Sequence, residues 1–408
     1  MLNAKQKLLL HKLRIYGPEK LSVLWDIPLF FMRIPAVRRT TAAKTIVFVG
    51  EHLATRVPRM AKWIRRESDY STVLVCHERG FIAEFTNDCF DHTFLFRNKW
   101  HMMRILRSIE GIKIVQGFAP KSAFVNHARK FIRKPYVQDM QDAYTIYYKD
   151  KALPKWLEKE LPYEYACITE ADGIVAASLE MNQVLKMDRS LKRPETLFFP
   201  LYCDDDYLQP MKTEPLDPDD IHIVYAGAVS GSHRNSKLNG NTQFFQLIEL
   251  LSRQKLHFHM YASPISIRLD YQEYEQLAVN NPYFHFHPAV HQDILAQEMS
   301  RYHFGILPFF SSLSDLSGLK LKYATSLKLF NYFEAGLPVI ISKDIVYQHW
   351  MVDRHHCGID LEQDSMDKLR EQILASDYES LIREVEKTRR KLSLKKQMPR
   401  LIAFYDKL

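Results

Sequence analysis

Between Thr45 and Ser342 one pattern recurs: a short apolar run rich in Val, Ile and Phe, then a longer stretch with helical spacing. Continuous runs such as Thr45–Gly50 (TIVFVG) suit strands buried on both faces, the state of strands in a parallel sheet covered by helices. The stretch Arg56–Glu67 places Val57, Met60, Ala61 and Ile64 on one helical face. Further strands are expected at Thr72–Cys76, Thr93–Phe96, Ile112–Gln116, Pro135–Gln138 and Gly173–Ser178. The alternation predicts an α/β fold with a doubly wound parallel sheet, whose site lies at the carboxyl ends of its strands.

The pattern stops and starts again. Pro200, Pro210, Pro215 and Pro218, with aspartates at 204–206, mark a linker. A second series follows, with strands expected at Ile221–Ala226, His257–Tyr261, Tyr283–His287 and Phe304–Pro308, and helices at Gln243–Leu251, Asp293–Tyr302, Met366–Leu374 and Tyr378–Leu392. A chain of 408 residues exceeds one ordinary domain. The expected organisation is a basic extension over 1–44, a first Rossmann-like domain over 45–205, a linker over 206–220, a second Rossmann-like domain over 221–377, and a basic helical segment over 378–408 that packs back on the first domain.

Residues 1–44 hold nine basic side chains against two acidic ones, and residues 387–408 hold eight against one. Such ends suit an anionic membrane face or solvent; the chain has no basic sheet interleaved with aromatics that would point to nucleic acid. Lys5–Ile15 has helical spacing, and Trp25, Phe30, Phe31 and Met32 add bulk beside basic residues, as in an interfacial segment or equally a helix packed on the domain. No run reaches the length of a membrane span, and the N-terminus lacks the clean apolar run of a signal peptide. Five scattered cysteines without CxxC spacing argue for a reducing, cytoplasmic setting. The 17 histidines show no metal-binding spacing, so no metal is expected.

The segment Ser326–Ser342 (SLKLFNYFEAGLPVIIS) carries the chemistry. Ser326 is a fitting N-cap, Gly336 can take the left-handed conformation that closes a helix, and Val339–Ile341 forms the next strand. Lys328 lies in the first helical turn, where the dipole disfavours cations. Its presence there makes sense if an anion occupies the helix N-terminus.

This segment resembles the Lys-Leu-Phe-Glu-Tyr-Leu-Ala-Ala-Gly-Leu-Pro-Val-Ile stretch of GT-B glycosyltransferases, especially glycosyltransferase family 4. The match holds at Lys328, Leu329, Phe330, Tyr332, Gly336, Leu337, Pro338 and Val339. It departs at Asn331, where that family has a glutamate for the ribose, and at Tyr323, where it has a second glutamate. The resemblance implies two Rossmann-like domains facing each other across a cleft, with a nucleotide-sugar donor on the second domain. It assigns the donor to Ser326, Leu327, Lys328 and Asn331. It adds the first turn of the second domain, with Gly227 and Ser230, and a basic pair at Arg234 and Lys237. Asp142 is its catalytic candidate, with Asp139 the alternative. Glu51, His52 and Arg56, in place of the family's Gly-Gly pair, are candidates for acceptor contact.

The implied activity is metal-independent, retaining transfer of a sugar to a glycan or lipid-linked acceptor, in cell-surface polysaccharide or glycoconjugate synthesis, without a cofactor. The implied location is the cytoplasm, with the cytoplasmic membrane face as a site of attachment. A non-catalytic GT-B-like nucleotide- or glycan-binding protein is the alternative.

Overall fold

A computed structural model of the chain describes residues 19–40, 42–53, 55–83, 86, 88–118, 121–147, 155–188, 194–264, 266–313 and 318–408. The expected helix at Lys5–Ile15 lies outside them.

Two parallel sheets organise the molecule. The first has seven strands: β1 (Thr45–Gly50), β2 (Ser71–His77), β3 (His92–Phe96), β4 (Ile112–Phe118), β5 (Tyr136–Met140), β6 (Gly173–Ala176) and β7 (Glu195–Phe198), in the order β3-β2-β1-β4-β5-β6-β7. The second has six: β8 (His222–Gly227), β9 (His257–Ala262), β10 (Phe284–His287), β11 (Phe304–Leu307), β12 (Val339–Ser342) and β13 (Gly358–Leu361), in the order β10-β9-β8-β11-β12-β13. Both are doubly wound, with topological switch points between β1 and β4 and between β8 and β11. β7 and β13 went unread in the sequence. Both are short edge strands, and Glu195 and Asp360 interrupt the apolar signal that marks a buried strand.

Core residues lie on both faces of each sheet. Val47, Val49, Val73 and Val75 belong to one apolar cluster of the first domain, and Ile46, Phe48 and Leu74 to the other. Continuous apolar runs on the inner strands follow from this two-sided burial.

The C-terminal segment splits in two. A single helix was expected over Tyr378–Leu392; the structure has Tyr378–Lys391, a break, then Leu394–Asp406. The first helix stays on the second domain, with Val385 in the cluster that holds Leu329 and Phe330. The second crosses to the first domain, where Leu401, Phe404 and Tyr405 join Ile46 and Phe48. The hinge is fixed by the linker: Cys203 donates its amide to Leu392 O at 2.9 Å and accepts from the Leu394 amide at 2.8 Å. Ser393 then caps the last helix by accepting from the Lys396 amide.

At the other end, residues 19–31 form a helix tied down by the buried Asp26 and, among others, by Arg107 Nη1, which donates to Phe30 O at 2.8 Å. Asp26 accepts from Arg104 at 2.6 Å and from Asn98 Nδ2 at 2.8 Å. The remaining face of this helix is apolar and exposed: Leu24 is 67% and Trp25 75% accessible, with Leu21, Phe31 and Met32 alongside. No described helix is long and apolar enough to cross a membrane.

Candidate functional site

The carboxyl ends of both sheets border one cleft of about 450 Å³. Leu53, Thr55, Gln141 and Asp142 line it from the first domain, and Ala226–Ala228, Tyr261–Pro264 and Ser326–Lys328 with Asn331 from the second. The structure therefore brings together Asp142, Gly227, Ser326, Leu327, Lys328 and Asn331.

The helix Leu327–Glu334 begins as its sequence suggests. Ser326 Oγ accepts from the Lys328 amide at 3.3 Å, and Gly336 takes φ +79° after the helix ends. Apolar residues Leu329, Phe330, Tyr332 and Phe333 are buried, which aims the helix N-terminus into the cleft. Lys328 runs back past β8. Its Nζ lies 5.7 Å from the Tyr225 ring centroid and 5.6 Å from that of Phe309. A side chain on Gly227 (φ +158°) would collide with Lys328 Cε, so glycine is what lets the lysine pass the end of the strand.

Lys328 is a cation without a carboxylate. Among the described residues none forms an ion pair or hydrogen bond with its ammonium, and desolvation by the surrounding protein lowers its pKa to about 8. Burial penalises the charge, and among the described residues the Tyr225 and Phe309 faces are what compensate. A polyanion entering the cleft would meet this ammonium and the positive end of the helix together.

Asn331 is 6% exposed. Its Oδ1 accepts from Arg59 at 3.2 Å, which leaves the amide nitrogen as the group offered to the cleft. Arg59 belongs to the first domain, and its main partner is Glu334, at 2.6 and 3.1 Å. Glu334 also accepts from the Asp204 amide at 2.7 Å, so this helix is clamped to both the first domain and the linker.

Asp142 lines the cleft, but it is already paired. Its carboxylate accepts from Lys320 of the second domain, which also donates to Glu180 of the first at 2.8 Å. Burial opposes the charge on Lys320, yet Asp142 and Glu180 hold its pKa above the ordinary lysine value. Burial lifts Glu180 to about 7 against the pull of Lys320. The sequence reading missed Lys320 and Arg59. Their partners are remote in the chain, and neither residue breaks a local rule.

Other candidates stand apart. Arg234 forms a bidentate pair with Asp270, both bonds 2.7 Å. Lys237 lines a separate cavity of about 630 Å³ with Gly240, Phe310 and Leu313. Ser230 is bonded to Thr242 at 2.8 Å. The expectation that Arg234 and Lys237 join Lys328 as one basic cluster is thus corrected: a nearby carboxylate and the path of the loop take them elsewhere.

Arg56 is corrected as well. It is 3% exposed and committed to Asp139 at 3.1 Å, Pro200 O at 3.0 Å and Phe199 O at 2.6 Å, a buried tie rather than a cleft residue. The same pairing removes Asp139 from the surface. Glu51 meets Lys121 at 2.6 Å and His52 at 3.5 Å; burial resists ionisation, but these partners hold its pKa down to about 2.

Comparison with known proteins fits this geometry. Residues 237–399 match the model of the glucosyltransferase 3-like C-terminal domain. No curated protein matches the chain by sequence. Among solved structures, the N-terminal domain of Candida albicans trehalose-6-phosphate phosphatase aligns with a TM-score of 0.57 at 10% identity, over 90% of this chain and 98% of that one. Staphylococcus aureus MnaA with UDP aligns at 0.55 and 10% identity, over 88% and 95% of the two chains. Phytolacca americana UGT2, complexed with UDP-2-fluoro-glucose and pterostilbene, aligns at 0.51 and 8% identity, over 90% and 100%. The chain therefore has the GT-B fold, and residues 237–399 within it are similar to a glucosyltransferase 3-like C-terminal domain.

Proposed function

We propose that this chain transfers a sugar from a nucleoside diphosphate sugar to a hydroxyl of a glycan or lipid-linked acceptor. The observation that carries this reading is Lys328: a desolvated ammonium, unpaired among the described residues, at a helix N-terminus in the cleft between two Rossmann-like domains. The diphosphate lies on Ser326, Leu327 and Lys328, with Gly227 leaving room for the lysine chain that meets it. The Asn331 amide faces the ribose in place of a carboxylate.

In the reaction, the bond from the anomeric carbon to the β-phosphate oxygen breaks and the acceptor oxygen takes its place. The hydroxyl proton leaves with the diphosphate or to solvent. Negative charge grows on the departing phosphate, and a cation and helix amides already fixed in place stabilise it without reorganisation. This chemistry needs no resident metal, and the family resemblance favours retention at the anomeric carbon. Asp142 is the carboxylate on the acceptor side, held in place by Lys320.

The test is a thermal-shift screen of nucleotides and nucleotide sugars, because a ligand that binds only the native state raises the melting temperature. UDP and UDP-glucose come first, given the ligands of the fold relatives and the glucosyltransferase-like domain. Transfer and hydrolysis of the stabilising donor are then measured. Stabilisation by a nucleotide sugar with turnover supports the proposal. Binding without turnover would support a non-catalytic nucleotide-binding protein, and no stabilisation by any nucleotide would remove the site.

A second observation bears on where transfer takes place. The helical residues 19–31 turn Leu21, Leu24, Trp25 and Phe31 outward beside Lys20 and Arg33. Apolar side chains rimmed by cations suit the headgroup region of an anionic membrane, which fits a lipid-linked acceptor on the cytoplasmic face. Cys76, Cys167, Cys203 and Cys357 are buried free thiols, as suits a reducing compartment. Co-sedimentation with phosphatidylserine vesicles that drops on Trp25→Ser and Leu24→Ser supports attachment; equal sedimentation of the variant removes it.

A further inference from the structure

The opposite end of the second sheet carries a feature that sugar transfer does not use. His222, the first residue of β8, stands in register with His257, the first residue of β9. Their rings stack with centroids 4.6 Å apart and 17° between planes. Asp220, two residues before His222, reaches the same point. Its Oδ1 lies 2.8 Å from His222 Nε2 and 3.7 Å from His257 Nε2, and the three donor atoms all fall within 4.8 Å of one another. A tetrahedral site with bonds of about 2.0 Å has donor–donor edges of about 3.3 Å, a value these separations bracket.

A second layer of histidines orients the first. His222 Nδ1 is 2.8 Å from His259 Nε2, and His257 Nδ1 is 3.0 Å from His285 Nε2. His259 Nδ1 in turn meets His287 Nε2 at 3.0 Å. With protons on Nδ1, each histidine of the first layer donates to the second and turns its Nε2 lone pair toward Asp220. Two lone pairs and a carboxylate then converge on one point, an arrangement that a cation satisfies. Support of a ligating histidine through its other nitrogen is the usual outer shell of a metal site. The His222 and His257 side chains are 24% and 21% exposed and that of Asp220 is 62% exposed, so the point is open to solvent and to further ligands.

We propose that Asp220, His222 and His257 bind one divalent transition-metal ion of the zinc class, with water completing its coordination. Imidazole with one carboxylate suits Zn²⁺, Co²⁺ or Ni²⁺ rather than Mg²⁺ or Ca²⁺. The site lies about 16 Å from Gly227, the length of β8 at about 3.3 Å per residue. It is therefore a structural site that pins the end of the interdomain linker to the second sheet, and takes no part in transfer.

The test is titration of the metal-stripped full chain with Co²⁺, followed by its visible d–d bands, and with Zn²⁺ by calorimetry. One equivalent is expected to bind and to raise the melting temperature. Asp220→Ala and His257→Ala are each expected to lose that equivalent, while His259→Ala weakens it about 10–100-fold. His349→Ala, which removes an imidazole paired with Asp360 elsewhere on the second domain, is expected to keep it. Unfolding curves in chelator establish that the variants fold; Asp220→Ala, at an exposed position, decides the matter if His257→Ala does not. The proposal is overturned if no single equivalent binds, or if the bound equivalent survives Asp220→Ala unchanged.

Discussion

Lys320 and Lys328 belong to consecutive helices of the second domain, and the structure treats them in opposite ways. Lys320 is 7% exposed and satisfied by two carboxylates of the first domain. Among the described residues Lys328 has no carboxylate partner, and its pKa falls to about 8. Neighbouring charge, more than burial, separates them. A buried cation with partners holds domains together, whereas one without partners is costly to keep and is retained where a ligand will meet it. Under the proposed function the two lysines divide the work of the cleft, one tying its walls together and the other meeting the donor.

The largest effect that would break this contrast is on stability. Lys320→Ala strands Glu180 and Asp142 and is expected to cost about 3–5 kcal/mol, measured by denaturant unfolding. Lys328→Ala removes an unsatisfied charge and is expected to leave stability unchanged or higher. If both variants lose stability equally, Lys328 is a structural residue and the contrast collapses.

Next comes turnover. Lys328→Ala is expected to slow transfer about 10²–10³-fold, or about 2.7–4 kcal/mol, with the melting temperature maintained. An unchanged rate in the folded variant would remove the phosphate site. Gly227→Ala displaces the Lys328 chain and forces a non-glycine residue to φ +158°, with an expected cost of about 1–3 kcal/mol. The displaced ammonium predicts weaker donor binding; calorimetry showing full affinity would mean that the lysine does not touch the ligand.

The pH dependence sharpens the comparison further. The free Lys328 ammonium loses its proton near pH 8, and a bound diphosphate raises that value. Donor affinity should be flat below about pH 7 and fall above about pH 8, by at most tenfold per unit, as binding must take up a proton. A flat profile up to about pH 10 would assign the anion to other groups. The smallest effect is at Asn331: replacement by alanine should weaken donor binding by about 1 kcal/mol, the net worth of one hydrogen bond. A variant indistinguishable from wild type would show that the ribose lies elsewhere.

Much of this was legible in the chain. The runs Thr45–Gly50 and Val339–Ile341 and the helix Arg56–Glu67 follow from local periodicity, and the structure has them at those positions or within a residue of them. Lys328 was visible because it breaks a local rule, a cation in the first turn of a helix. Gly227 was visible as the glycine that ends a strand. Arg234 looked equally good in sequence, but Asp270 lies on a later helix, and only folding shows that it claims the guanidinium.

By itself, then, the sequence determined most of the segments that become strands and helices, and that a helix N-terminus carries an out-of-place lysine. These are properties of residues within a turn or two of one another. Tertiary structure decided the rest. It paired Lys320 with carboxylates 178 and 140 residues away, and tied Arg59 to a glutamate 275 residues away. It also set the register that turns scattered strand histidines into one stacked array beside Asp220. Spacing along a chain cannot report which strands will lie side by side, and that adjacency is what makes a pair, a clamp or a histidine cluster.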